Sequence, residues 1–229
     1  MVDSVIAGTG VAAIVPTGFE AYARILHPLP DGQRWDDVAP LFLGSGDEPY
    51  DYPYADPLLA VEGDLGPETV DALAAALAPS TRGLCHFGLW DGWGWLHAGA
   101  VVVHYASADG SPEAARAQEE LQQRHDRSMS GVRSFIGACP LSDDVGGGRP
   151  MRLFDGPIES VLAIGYDPFG DGSFSGQSPQ WWWPSDRTWF VATEIDYPWT
   201  YLAGSEPLVA DVLASLPTES ARIVPDARW

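Results

Sequence analysis

Three consecutive tryptophans, Trp181-Trp182-Trp183, open a tract that runs to Tyr201 and includes Trp189 and Trp199; no other stretch constrains the fold as strongly. Side chains on a strand alternate between its faces, so three adjacent indoles cannot all enter one core. At least one is expected at the surface or at an interface. Downstream, 188–196 reads as a strand with Trp189, Val191 and Ile195 toward the core, Tyr197-Pro198 as a bend, and 199–203 as a second strand. Ser205 then caps a terminal helix with Pro207 in its first turn and Leu208, Val209, Val212, Leu213 and Leu216 as its buried stripe.

Upstream the pattern is mixed. Residues 18–26 place Phe19, Ala21, Ala23 and Ile25 on one face and Glu20, Tyr22 and Arg24 on the other, the period of a half-buried strand that His27-Pro28-Leu29-Pro30 stops. A helical turn over 35–42 and a Pro-, Tyr- and Asp-rich loop over 44–57 follow. Pro67, the early acids Glu68 and Asp71, and Val70, Leu73, Ala74 and Leu77 at helical spacing predict an amphipathic helix ending before Pro79. Strands at 84–90 and 98–105 are expected to form a hairpin across Asp91-Gly92-Trp93-Gly94.

Between 106 and 149 the chain changes character. Ser111 caps a helix over 113–127 that is polar nearly all round, flanked by Ser- and Gly-rich joints and by Asp143-Asp144-Val145-Gly146-Gly147-Gly148. Such a helix buries no wide stripe, so the segment reads as an insertion, either a lid, a mobile arm or a partner-binding arm. A strand at 151–154, a short helix to 164 and a loop over 165–180 complete the chain. Antiparallel hairpins with packed helices predict one α+β domain over 1–229, mainly antiparallel sheet, with 106–149 inserted.

Ten Trp, eight Tyr and eight Phe in 229 residues, 45% of them apolar, suffice for a real core. Runs such as 98–103 fall far short of the ~20 apolar residues of a membrane span, and Met1-Val2-Asp3-Ser4 lacks a basic leader; the expectation is a soluble cytoplasmic protein. Cys85 and Cys139 read as reduced thiols, with a single bridge left open. The net charge is -20, and all twelve basic residues are arginine, a bias that reads as mutational and not as a phosphate-binding device. Eleven carboxylates lie between Asp31 and Asp71 against Arg34 alone, so half the net charge sits there. A field of that sign repels nucleic acid and anionic lipid and attracts basic surfaces.

Several stretches carry a resemblance. Trp182-Trp183-Pro184, Asp186-Arg187, Trp189, Val191-Ala192-Thr193-Glu194-Ile195-Asp196, Trp199-Thr200-Tyr201 and Gly204-Ser205 resemble a family of uncharacterised actinobacterial proteins, as do the segment from Pro16 to Pro28 and the set Cys85, Leu89, Trp90 and Gly92. The likeness covers most of the chain outside 106–149, implies a single fold with an insertion, and assigns no activity. A Trp-Pro strand pair followed by an acidic hairpin and a closing helix is also similar to some immunity proteins of bacterial toxin systems.

Motifs of known chemistry are weak. Gly8-Thr9-Gly10-Val11-Ala12-Ala13 matches a dinucleotide fingerprint, but Pro16-Thr17-Gly18 breaks any following helix, and no cofactor is expected. Asp167-Pro168-Phe169-Gly170-Asp171-Gly172-Ser173 offers oxygen ligands without the closing bidentate Glu of a calcium loop, so it reads as an Asx-rich surface turn. His27, His86 and His104 with Glu194 or Asp196 would be the ingredients of a metal site if they converged. Glu194 and Asp196, two apart on a strand, share a face, where they either do acid/base work, or face water or pair with Arg187 and Arg24.

The leading expectation is an acidic binding protein that docks or neutralises a basic protein partner. Asp47, Glu48, Asp51 and Asp56 would steer it, and Tyr50, Tyr52, Tyr54 and Trp182 would anchor it. The alternative is a metal-dependent or carboxylate acid/base hydrolase using Glu194 and Asp196 with His86 or His104.

Overall fold

The computed structural model describes residues 11–35, 61–97, 111–142 and 149–224. Its strands are β1 (Ala21–Leu26), β2 (Cys85–Trp90), β3 (Met151–Gly156), β4 (Gly165–Tyr166), β5 (Ser175–Gly176), β6 (Trp181–Pro184), β7 (Phe190–Thr193), β8 (Trp199–Gly204) and β9 (Ser220–Ile223). Its helices are α1 (Pro67–Leu77), α2 (Pro112–Ala138) and α3 (Glu206–Ser215), with a 3-10 helix at Ile158–Ala163. Seven strands form one sheet in the order β3-β2-β6-β7-β8-β1-β9, every neighbouring pair antiparallel, and β4 and β5 form a small separate hairpin. The α+β expectation holds.

Local chemistry sets the helix ends. Ser111 and Ser205 accept hydrogen bonds from the Ala114 and Leu208 amides, supplying acceptors that the first turns of α2 and α3 lack. Pro67 starts α1, where its missing N–H costs nothing. The helix gives way to a 3-10 turn at Ala78–Ser80, and the Thr81 hydroxyl donates to Leu77 O.

One face of the sheet is covered by helices. Val70, Leu73 and Leu77 of α1, Val209 and Val212 of α3, and Ile158 and Val161 of the 3-10 helix bury against Ile25, Phe87, Trp182, Val191 and Leu202. The outer face is aromatic: Tyr22, Trp181, Phe190, Trp199 and Tyr201 pack with Met151 and with Val11 and Val15 from the chain preceding β1. Because β1 lies between β8 and β9, and both faces are covered there, Tyr22 is buried; the expected half-exposed strand is an interior one.

Other differences have equally local causes. β9 is unexpected: Ser220-Ala221-Arg222-Ile223 alternates over only four residues, too short a run to announce a strand, and it takes its form from pairing with β1. The expected hairpin partner of β2, residues 98–105, lies outside the described residues, and over Cys85–Gly88 both edges of β2 are held by β3 and β6. The helix of segment 106–149 extends to Ala138, and its second half contributes Met129 and Ile136 to the core. β7 ends at Thr193, so Ile195 is in a turn and only half-buried.

Candidate functional site

The three consecutive tryptophans divide by strand alternation. Trp182 points into the helix-covered core, fully buried and edge-to-face with Trp189 at 5.8 Å. That overturns its expected role as an interface anchor, since no partner can reach a side chain sealed between sheet and helices. Trp181 and Trp183 point to the outer face, where Trp181 is buried and Trp183 is half-exposed. The open indole is therefore Trp183, stacked on Phe190 at 5.5 Å and tilted over the His86 ring at 5.3 Å.

Sheet register builds the surroundings of His86. β2 opposes His86 to Asp155 of β3 on one side and to Trp183 of β6 on the other. His86 Nδ1 lies 2.5 Å from Asp155 Oδ1, and Nε2 lies 3.2 Å from Ser185 Oγ, in the turn just past β6. The Ser185 hydroxyl also lies 2.9 Å from Leu84 O. The result is a Ser–His–Asp relay on the outer face, assembled from residues 69 and 99 positions apart in sequence. Such separations leave no motif, and neither Asp155 nor Ser185 was legible as a functional residue.

His86 does not meet Glu194 and Asp196. Trp181 pairs with Ala192 and Trp182 with Val191, so Glu194 lies four residues beyond the position facing Trp183, roughly 13 Å along the strand at ~3.3 Å per residue. Glu194 and Asp196 converge instead on Arg149, at 2.9 and 2.5 Å from Nη2, and not on Arg187 or Arg24 as expected. Both lie past the end of β7, where the turn aims them at the same guanidinium. Arg149 also sits over Trp90 at 5.7 Å, while Arg24 sits over Trp199 at 5.4 Å. Burial raises the Glu194 pKa, opposed by Arg149 and reinforced by Asp196; burial and then Asp196 raise that of Glu62.

His27 is the counter-case to His86. Its side chain is fully buried, with Nδ1 2.7 Å from Val61 O and Nε2 2.9 Å from Thr200 Oγ1, which meets Thr193 Oγ1 at 2.6 Å. An Nδ1–H donating to the carbonyl leaves Nε2 to accept from the Thr200 hydroxyl, so both ring nitrogens are satisfied in the neutral form. Burial pushes its pKa down to about 4, against the raising effects of the Val61 carbonyl and Asp64. Three histidines therefore do not converge: His27 and His86 lie on opposite faces, and His104 lies outside the described residues. Among the described residues no three His, Cys, Asp or Glu side chains gather in a metal-binding group.

The Asp167 loop is the expected Asx-rich turn. Asp167 accepts from the Phe169, Gly170 and Asp171 amides through Oδ1 and from the Gly172 amide through Oδ2. These bonds, that of Gly172 foremost, hold its pKa below the usual range. Cys85 and Cys139 are free buried thiols, the former raised to about 11 chiefly by burial. Of the fingerprint, Val11–Ala13 form a 3-10 turn, while Gly8 and Gly10 lie outside the described residues.

The acidic surface is partly visible. Asp47, Glu48, Tyr50, Asp51, Tyr52, Tyr54 and Asp56 all lie outside the described residues. Within them, α1 packs against both α3 and the 3-10 helix, and none of these three elements contains a basic residue. Glu68, Asp71, Glu159 and Asp211 are exposed on this layer. Beside Asp71 runs a groove of about 310 Å³ between α1, the 3-10 helix and the β4–β5 hairpin, lined by Val70, Asp71, Val161, Leu162, Ile164 and Phe174. Leu162 and Phe174 are 43% and 51% exposed, so apolar surface lies open beside the carboxylates. No helix among the described residues is long and apolar enough to cross a membrane.

Comparisons with protein-family models, with curated proteins and with solved structures return no match.

Proposed function

We propose that this protein is a cytoplasmic acidic binding protein that docks or neutralises a basic protein partner, in an immunity-like role. One observation carries the reading: an open apolar groove lies against a helical layer that has exposed carboxylates and no basic residue in its helices. Carboxylates on such a layer speed encounter with a cationic surface, and an apolar cleft among them gives the complex something to bury. Six arginines, Arg34, Arg124, Arg133, Arg149, Arg152 and Arg222, are engaged in ion pairs within the fold, which leaves the excess negative charge facing outward. In this reading Asp47, Glu48, Asp51 and Asp56 add steering charge, and Tyr50, Tyr52 and Tyr54 add anchors.

The test is affinity capture of a partner followed by binding measurements at rising salt. Expected are a basic protein, affinity that falls with salt, and a further loss of about tenfold when Glu68, Asp71, Glu159 and Asp211 are replaced together by Gln or Asn. Binding indifferent to salt and to the four substitutions would sink the proposal.

A further inference from the structure

Ser185, His86 and Asp155 stand in the order of a nucleophile, a base and the group that orients the base. We propose that Ser185 is an acylatable nucleophile, that His86 is its general base, and that the site hydrolyses small uncharged acyl esters. This does not rest on the docking reading, since the relay lies on the sheet face opposite the acidic helices.

The geometry supplies the tautomer that a base needs. With Nδ1–H held by Asp155 at 2.5 Å, Nε2 carries a lone pair and faces Ser185 Oγ at 3.2 Å. The hydroxyl has one proton and two acceptors within reach, Leu84 O at 2.9 Å and Nε2, and rotation about Cβ–Oγ moves that proton between them without displacing a heavy atom. Trp183 against the imidazole and the paired register of β2, β3 and β6 hold the ring in place. The Asp186 amide, next after the serine, has no acceptor among the described residues and is available to an oxyanion.

In the first half-reaction Ser185 Oγ attacks the ester carbonyl as its proton passes to Nε2. The carbon–oxygen bond to the leaving alcohol then breaks, and the alcohol departs with that proton. In the second, water loses a proton to Nε2 and attacks the acyl-serine; the carboxylic acid leaves and Ser185 regains its proton. One ester and one water give one acid and one alcohol.

Asp155 beyond His86 and Asp186 next to the serine in sequence put negative charge near the site and disfavour an anionic acyl chain, hence the uncharged substrate class. Asp155 is 56% exposed, so water weakens the electrostatic gain and the site suits activated esters rather than amides. Asp155 acts through His86 and is a positioning residue.

The experiment treats the full chain with a fluorophosphonate probe, maps the modified residue by mass spectrometry, and repeats the labelling with Ser185→Ala, His86→Gln and Asp155→Asn. Expected are phosphonylation of Ser185, its loss in Ser185→Ala, and labelling about a hundredfold slower in His86→Gln. For Asp155→Asn labelling should slow while His86→Gln remains the slower variant, because the imidazole loses the carboxylate that holds its Nδ1–H. A wild-type protein unmodified at Ser185, or labelling equally fast in His86→Gln, overturns the proposal. The wild-type result decides alone where thermal melting shows that a variant has lost its fold.

Discussion

The two faces of the seven-stranded sheet are built from different chemistry. The helix-covered face is mostly aliphatic, and its polar groups are sealed: His27 is bonded through both ring nitrogens, and Gln180 holds four backbone and side-chain groups. The outer face is aromatic; Tyr22 and Tyr201 are buried on it around β1 and β8, whereas His86, Asp155, Ser185 and Arg149 keep contact with water. Two histidines on one sheet thus have opposite exposure. Depth and partners, rather than residue type, decide which ring solvent can reach.

The sharpest way to break this contrast is to truncate adjacent tryptophans. Trp182→Ala should cost about 3–5 kcal/mol in urea unfolding, because it empties a sealed site, whereas Trp183→Ala on the half-exposed side should cost about 1–2 kcal/mol. Equal losses would mean that the outer face is as tightly packed as the inner.

Acid should act next most strongly, through His27. Its folded pKa of about 4 lies below the unfolded value of 6.5, so the unfolded chain takes the proton first. That contribution is complete above about pH 6.5 and is lost as pH falls toward 4, about 3 kcal/mol in all. Unfolding measured across this window should show the loss in wild type, and His27→Gln should flatten the slope.

Gln180→Ala should cost about 1–3 kcal/mol. Its Oε1 accepts from the Trp90 amide at 2.9 Å and the Trp93 indole at 3.0 Å, and its amide donates to Gly63 O at 3.2 Å. Truncation strands these groups, and faster amide exchange at Trp90 would report the broken clamp.

Arg149→Leu should cost about 1 kcal/mol at neutral pH, because Glu194 and Asp196 are left facing each other. The loss should shrink as pH falls. The Glu194 pKa is already raised by burial and rises further without Arg149, so its charge is removed early in acid. A loss independent of pH would assign the effect to packing against Trp90 instead. The smallest effect is expected for His86→Gln, within about 0.5 kcal/mol, since its partners are solvated; a large destabilisation would make His86 a structural residue.

Much of the fold was legible because local rules coincide with it. Ser205 with Pro207 and the stripe to Leu216 announced α3, as Pro67 with Val70, Leu73 and Leu77 announced α1. Where an element depends on its neighbours the reading failed. β9 alternates over only four residues and is defined by its pairing with β1, and the extension of α2 through Met129 and Ile136 follows from docking onto the core. Of the candidate site, Glu194 and Asp196 do act on one partner, but through a turn and not through the strand alternation expected of them, and that partner, Arg149, 45 residues before Glu194, was not readable.

By itself the sequence determined the α+β class, the starts of the three helices, the acidic balance and the rule that three adjacent tryptophans must divide between two faces. These follow from short-range geometry and from composition, which need no knowledge of which strands meet. Only the tertiary structure decided that Trp182 is core and Trp183 open, that His27 is sealed, and that His86 stands between Asp155 and Ser185. Each of those outcomes depends on strand order and register, which bring together residues too far apart in the chain to leave a spacing to read.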